Sequence, residues 1–436
     1  MAEKIVFPAP LSGTVRVPGD KSISQRVAML AALAEGTSRV VGFLDGEDAR
    51  STLSAVERLG ARAEFRDGDL FITGTGGIFS PPEGDLDMGN SGTGTRLLAG
   101  LVAGSGIEAR FVGDASLSAR PMGRIKRPLE AMGAEVILSG ERGTLPMIVR
   151  GAHLQAITYP LPVASAQVKS CVLLAGLFAE GETVVIEPRP TRDHTERLFR
   201  LLGLPIAVDG LRVSVTGTGG GPLRIPAREF SVPGDFSSAA FWLTAAAVRP
   251  GAAVTVENVG LNPRRTALLD VLRRMGAGVE TEERGAGEGG DPAGTVRVEG
   301  AALRGTVIEG EEIPNLIDEL PILAVAGALA EGETLIRDAA ELRVKESDRI
   351  AETVRVLRAF GVEVEELPDG MRIRGPARLR TPAEPIDSRG DHRIAMSAAV
   401  LNTFSDAPLR IANVECVATS YPAFWDDMER LGGRVE

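Results

Sequence analysis

The sequence predicts an α/β fold in two domains, each made of three copies of one βαβαββ unit related by pseudo-threefold symmetry. Three observations carry this expectation. At 436 residues the chain is too long for one ordinary core, and two domains of about 200 residues each follow from how buried surface scales with size. A helix end, then Leu/Met/Phe-Gly, then a short strand recurs six times, at Gly60, Gly133, Gly203, Gly276, Gly361 and Gly432, with intervals of 73, 70, 73, 85 and 71 residues. The phrase VPGDKS at Val17 returns as VPGDFSS at Val232, 215 residues later and close to three units. Chance recurrence of Gly-rich turns is the alternative, and it leaves the even spacing unexplained.

In chain order each unit reads strand, loop, helix, strand, loop, helix, strand, strand. Glycine after the last apolar helical residue is the expected stop. A second phrase, AEGTSRVVG from Ala34, AEGETVVIE from Ala179, PGAAVTVEN from Pro250 and AEGETLIRD from Ala330, marks the same register. Gly74, Gly76 and Gly77 end a strand and read as structural. The long fourth interval holds the Gly-rich stretch 282–294, which reads as a surface-loop insertion. The sixth copy stops after one strand, so Ile5 to Val17 is expected to complete it. The domains are then 20–234, and 1–19 joined with 235–436, with crossovers near 17–22 and 232–238.

Composition narrows the class. Hydrophobic content of 44% with 25% charged residues is that of a globular protein. No apolar run approaches the ~20 residues that span a bilayer, and the start lacks a signal-peptide pattern, so a cytoplasmic protein is expected. The net charge of −11 speaks against nucleic acid and membrane surfaces. Two cysteines, Cys171 and Cys416, and three scattered histidines suggest neither disulfides nor a metal site.

Loops that follow strands and open helices present unpaired N–H groups and the positive end of the helix dipole, which suits anions. Here they read VPGDKSISQR, MGNSGTGTR, VASAQVKS, VPGDFSS, IPNLIDELP and SRGDHR, and, before the second helices, DGEDAR, DASLSARPMGR, PTRDHTER, VGLNPRRT, RVKESDR and VATSYP. Arg120, Arg192 and Arg264 stand 72 residues apart, in equivalent loops. Lys21 and Ser22, with Arg26 one turn on, read as a phosphate cradle or as a helix cap with a solvated lysine; no Walker motif is present. The Gly89–Gly94 run is a close-approach loop for a ligand or a flexible turn. Arg120, Arg349 and Arg393 are forks for carboxylate or phosphate, or surface ion pairs. Asp318 and Glu319 are acids at a helix start or its caps, and Lys345 to Arg349 is a functional cluster or a charge scaffold. His392 has a direct role or a structural one, and Cys171 reads as core.

Taken together, PGDKSISQR, GNSGTGTR, DASLSARPMGR, SAQVKSCVLLAGL, TRDHTER, IDELPILAV, RVKESDR and GDHRIAMSA closely resemble the 5-enolpyruvylshikimate-3-phosphate synthase family, nearly end to end and in order. ASAQVKS, TRDHT and RPMGR look like its class II. The resemblance implies an enolpyruvyl transferase fold with the active site in the cleft between the two domains, and a transferase of the shikimate pathway, in aromatic amino-acid biosynthesis, targeted by glyphosate. It moves the enolpyruvyl (carboxyvinyl) group of phosphoenolpyruvate to the 5-hydroxyl of shikimate 3-phosphate and releases phosphate. By motif, shikimate 3-phosphate falls to Lys21, Ser22, Arg26, Ser165, Ala166, Gln167, Arg192, Asp318 and Lys345. Phosphoenolpyruvate falls to Lys21, Gly92, Arg120, Gln167, Arg349 and Arg393. Catalysis falls to Asp318, Glu346 and Lys21. No cofactor or metal is called for, and a monomer is expected. Three positions depart from the family pattern. Thr419 stands where some members have lysine, Glu341 where many have asparagine, and Gly92 where tolerant class II members have alanine, which implies glyphosate sensitivity.

The nearest rival family, UDP-N-acetylglucosamine enolpyruvyl transferase, uses a cysteine in the loop that here reads DASLSARPMGR and contains none. A non-catalytic anion-binding protein would need the cationic loops but not Asp318 and Glu346. An RNA-end-processing enzyme is disfavoured by the acidic surface and by 4% aromatic residues.

Overall fold

The computed structural model describes residues 2–286 and 290–436. The chain forms two compact units. The central unit comprises Gly19–Val232 with Ala286–Asp291; the terminal unit comprises Met1–Pro18, Pro233–Gly285 and Pro292–Glu436. Each has its own apolar core. Among the described residues no helix is long and apolar enough to cross a membrane.

One sheet plan recurs. In the central unit, strand Glu108–Val112 lies parallel to Leu86–Asp87 and antiparallel to Met147–Arg150, which pairs with Glu135–Leu138. Thr158–Pro160, Glu182–Ile186, Arg212–Thr216 and Ile206–Asp209 repeat it. The third sheet, on Thr37–Val41, takes its parallel strand from the far end of the segment, Glu229–Ser231, so the unit closes on itself. The terminal unit closes the same way: Gly13–Val15 pairs parallel with Ala253–Gly260, and Glu3–Val6 pairs with Leu409–Ala412.

That last detail divides the segment expected to complete the sixth copy. Only Glu3–Val6 does so, while Gly13–Val15 joins the sheet of the fourth copy. Pro8 and Pro10 cannot donate to a ladder, and they end the first strand before the second begins. The stretch 282–294 also differs from its reading as a surface loop. Gly278–Ala286 and Pro292–Glu299 are strands of the fourth sheet and absorb most of it; residues 287–289 lie outside the described residues.

The repeat signal has a plain backbone cause. Gly60, Gly133, Gly203, Gly276, Gly361 and Gly432 all have positive φ, between 68° and 115°, where a side chain would strain the helix stop. Within each unit the first helix of every copy is buried. In Phe236–Ala247 all twelve residues are buried, and in Leu320–Leu329 all but the last. Helices buried on all faces need small residues to approach one another. A Cβ at Gly100, on helix Gly92–Gly104, would sit 2.4 Å from the Cys171 carbonyl of helix Ala166–Gly176.

Backbone cannot yield as a side chain does, so Gly100→Ala is expected to cost about 1–3 kcal/mol. Chemical denaturation checks this: the midpoint should fall with an unchanged slope, and an unchanged midpoint would show that the two helices can separate.

Candidate active site

A helix hidden along its length still has four orphan N–H groups at its start, and these must find acceptors. In the central unit Asp20 accepts from Ile23 N at 2.9 Å, Ser91 from Gly94 N at 3.1 Å and Ser165 from Val168 N at 3.3 Å. In the terminal unit Asp235 accepts from Ser237 N at 2.7 Å and Asp391 from Arg393 N at 2.9 Å. These caps fix the first-turn residues that the sequence motifs single out.

In the central unit Lys21 is not a solvated lysine. Its Nζ lies 2.8 Å from Asp48 Oδ2, with side chains only 15% and 8% exposed. Gln25 donates to Asp48 O at 3.1 Å and Ser91 Oγ at 2.5 Å, tying the Lys21 loop to the Ser91 loop. Arg26 is buried and donates to Thr195 Oγ1 at 2.8 Å, Ser22 O at 2.9 Å and Ser170 Oγ at 3.0 Å. Burial lowers its pKa to about 10; Glu196 and Asp20 oppose the fall and the nearby Arg192 adds to it. Its hydrogen bonds all go to neutral acceptors, so those carboxylates act on it only through space.

The loops that carry Asn90, Ser116, Arg120 and Gln167 are as closely linked. Arg120 NH2 donates to Asn90 Oδ1 at 2.6 Å and Ser116 Oγ at 3.1 Å. Arg96 NH1 donates to Gln167 Oε1 at 2.7 Å, and Gln167 Nε2 to Thr93 Oγ1 at 2.9 Å. A Cβ at Gly92 would stand 3.0 Å from NH1 of both Arg96 and Arg120, so this glycine sits against two guanidinium groups. Motif reading passed over Arg96, Asp48 and Gln25. One signal was available for Arg96: it donates back to Gly92 O, four residues earlier, as Arg26 does to Ser22 O.

Lys169 is the third lysine of these loops, 1% exposed, with Glu196 Oε1 at 2.6 Å and Glu187 Oε2 at 3.1 Å. Glu187 also accepts from Thr191 N at 3.1 Å. The network braces the 187–196 loop that carries Arg192 and the Thr195 acceptor of Arg26. Cys171 is buried core, and burial pushes its thiol up to about 12.

The terminal unit gathers its predicted residues around one guanidinium. Arg349 is 1% exposed, with Asp391 Oδ2 at 2.8 Å from Nε, Glu346 Oε2 at 2.6 Å from NH2 and Asp318 Oδ1 at 3.2 Å from NH1. Burial alone would lower its pKa, but Asp391, Glu346 and Asp318 outweigh it and the net shift is upward. Arg393 Nε and Lys345 Nζ lie 3.8 and 3.9 Å from Asp318 Oδ1. Burial lowers the Lys345 pKa, with Asp318 and Glu346 opposing. The capping alternatives fail for both acids: the Leu320–Leu329 helix has no side-chain cap bond, and buried Glu319 accepts from Ser237 Oγ. Asp391 lay inside a recognised motif without an assigned role, and it proves to anchor Arg349 and, at 2.9 Å, Ser347. Within the five-residue polar run, Asp348 is scaffold, accepting from Ala351 N at 3.1 Å. His392 is buried at the start of its helix.

Comparison with known proteins gives the family. The profile of the EPSP synthase (3-phosphoshikimate 1-carboxyvinyltransferase) family matches residues 6–428. The chain belongs to the EPSP synthase family. A 3-phosphoshikimate 1-carboxyvinyltransferase of Thermus thermophilus is 51% identical over 427 residues, 97% of each chain. One of Akkermansia muciniphila is 49% identical over 430 residues, 97% of this chain and 98% of that one. Among solved structures, EPSP synthase from Acinetobacter baumannii superposes with a TM-score of 0.86 at 42% identity, covering all of both chains. The enolpyruvyl transferase NikO from Streptomyces tendae, at 21% identity and a TM-score of 0.78 over all of this chain and 98% of that one, shares the fold.

Two departures from the EPSP synthase pattern have a visible setting. Thr419 is buried, and its hydroxyl donates to Cys416 O at 2.7 Å, closing its own turn. Glu341 carries charge that bears on Lys345 and opposes the lowering of its pKa.

Removing one partner of a buried ion pair typically costs about 3–5 kcal/mol, because charge is left buried alone. Lys169→Met is expected to fall in that range by denaturant titration, and adding Glu187→Gln with Glu196→Gln should recover part of the loss. A Lys169→Met protein as stable as the parent would show that the network does not brace the loop.

Proposed function

We propose that the chain transfers the enolpyruvyl group of phosphoenolpyruvate to the 5-hydroxyl of shikimate 3-phosphate, giving 5-enolpyruvylshikimate 3-phosphate and phosphate, as a cytoplasmic monomer of aromatic amino-acid biosynthesis. The observation that supports it most is the pair Asp318 and Glu346 held on one buried guanidinium, Arg349, with Lys345 and Arg393 alongside. An anion carrier needs cations. It has no use for two catalytic carboxylates.

The chemistry requires a proton on the methylene carbon of phosphoenolpyruvate while the 5-hydroxyl oxygen bonds to C2 and gives up its own proton. The adduct then loses a proton from the new methyl group as the C2–O bond to phosphate breaks, restoring the double bond. Asp318 takes the hydroxyl proton, and its neighbouring cations stabilise the negative charge of the carboxylate. Glu346 delivers and recovers the carbon proton. Lys21 stabilises charge on the bridging phosphate oxygen. Lys21, Ser22, Arg26, Ser165, Ala166, Gln167, Arg192, Asp318 and Lys345 hold shikimate 3-phosphate. Lys21, the Gly92 backbone, Arg120, Gln167, Arg349 and Arg393 hold phosphoenolpyruvate. The neutral acceptors around Arg26, and the Arg96 and Arg120 groups at Gly92, support these assignments on the central-unit side.

A correctly placed acid or base contributes roughly 10²–10⁴ in rate. Asp318→Asn and Glu346→Gln are each expected to lower kcat by at least about 100-fold in a phosphate-release assay with both substrates. A loss within about tenfold would remove that residue from the assignment.

Gly92 leaves room beside Arg96 and Arg120 that a methyl group would take, so glyphosate should compete with phosphoenolpyruvate in the parent enzyme. In Gly92→Ala both arginine ends must shift, and the inhibition constant should rise more than the KM for phosphoenolpyruvate. An unchanged inhibition constant, or inhibition that added phosphoenolpyruvate does not relieve, would count against this pocket.

A further inference from the structure

Within the central unit, a concavity of about 350 Å³ lies beside the loops that carry Arg120 and Gln167, with Pro121 and Val168 in its lining. It is lined by Arg124, Arg127, Arg142 and Tyr159, with an apolar wall that includes Leu161, Val163 and Val168. No carboxylate lines it, and neither does any residue assigned above to a substrate. This composition is out of keeping with a chain of net charge −11. Several exposed arginines elsewhere in this unit sit on acids, Arg39 on Asp69, Arg66 on Glu64, Arg110 on Asp85, Arg150 on Glu108 and Glu135, while among the described residues Arg62, Arg200 and Arg224 stand singly at the surface. Arg127 and Arg142 have no ion-pair partner among the described residues. Lys126, between the two helical arginines, is already tied to Glu130 at 2.8 Å.

The walls are held in place. Arg124 and Arg127 are three apart on helix Gly123–Ala131 and share a face. Arg142 lies in the turn between strands Glu135–Leu138 and Met147–Arg150, docked at the start of that helix because Met122 N donates to Gly143 O at 2.9 Å. The apolar wall is anchored by Leu161 N, which donates to Ile186 O at 2.9 Å. Val163 remains 45% exposed, a large apolar side chain open to solvent at the rim.

We propose that this concavity is a second small-molecule site, for an organic carboxylate bearing an apolar body the size of one ring. The guanidinium groups match a carboxylate in two-point fashion, and Tyr159 with the valines and Leu161 covers the ring. The volume falls at the lower end of ligand pockets, which suits one ring and not a dinucleotide. The site stands independently of the reaction assigned above.

Titration calorimetry and ligand-observed NMR on the full chain test it, with benzoate as the probe, benzamide as its neutral counterpart and acetate as the charge without the ring. Benzoate should bind saturably, with benzamide and acetate weaker by about tenfold or more, as loss of a charge-assisted pair implies. Arg127→Gln with Arg142→Gln should weaken benzoate by a similar factor. Val163→Asp, which sets a negative charge at the rim, should do the same, and melting curves of both variants should match the parent. Phosphoenolpyruvate and shikimate 3-phosphate should leave benzoate in place. The idea is overturned by benzoate affinity equal to that of benzamide, by affinity unchanged in both variants, by displacement by phosphoenolpyruvate, or by no saturable binding to the folded parent.

Discussion

A helix that is apolar all round can be covered along its whole length, but its first turn cannot be, because the orphan N–H groups there need polar partners. Phe236–Ala247 and Leu320–Leu329 are the plainest cases, and Lys21–Ala31, Gly92–Gly104, Ala166–Gly176 and His392–Asn402 are buried almost as fully. Their starts are places in each core where polar partners are required. The caps Asp20, Ser91, Ser165, Asp235 and Asp391 meet that need. Because the same strands and helices recur, the starts recur too, and Lys21, Gly92, Gln167 and Arg393 occupy first turns by construction.

The two units use buried arginine in opposite ways. Arg26 in the central unit is surrounded by a carbonyl and two hydroxyls, and its neighbour Arg192 has the same sign of charge. Among the described residues no carboxylate hydrogen-bonds Arg26, and Glu196, Asp20 and Asp291 act on it only through space. Arg349 in the terminal unit is saturated by Asp391, Glu346 and Asp318. It fixes where the Asp318 and Glu346 carboxylates point, and its own raised pKa keeps the charge that holds them. Three carboxylates lie near each guanidinium, and what separates the two is direct contact, present at Arg349 and absent at Arg26.

Motif strings gave Lys21, Arg120, Asp318, Glu346 and Arg349 by number, because each sits in a phrase of unusual polar density. They gave nothing for Asp48, which is unremarkable in DGEDAR until it proves to lie 2.8 Å from Lys21. Arg96 and Asp391 stood inside recognised phrases but gained a role only through Gln167 and Arg349, partners 71 and 42 residues away. The first strands show the same limit. Ile5 to Val17 is one apolar stretch in sequence, yet its two halves serve different sheets.

The sequence alone determined the repeat, the helix stops and the loops that carry polar chemistry. These depend on local properties: positive φ at Gly60 and its five counterparts, apolar runs, and the residues that cap a first turn. Tertiary structure alone decided which charges meet, that Lys21 is paired instead of solvated, and that Asp318 faces cations instead of capping its helix. Those outcomes are set by a few ångströms between residues far apart in the chain, and Coulomb interactions at that range depend on burial and distance, which no single stretch of sequence encodes.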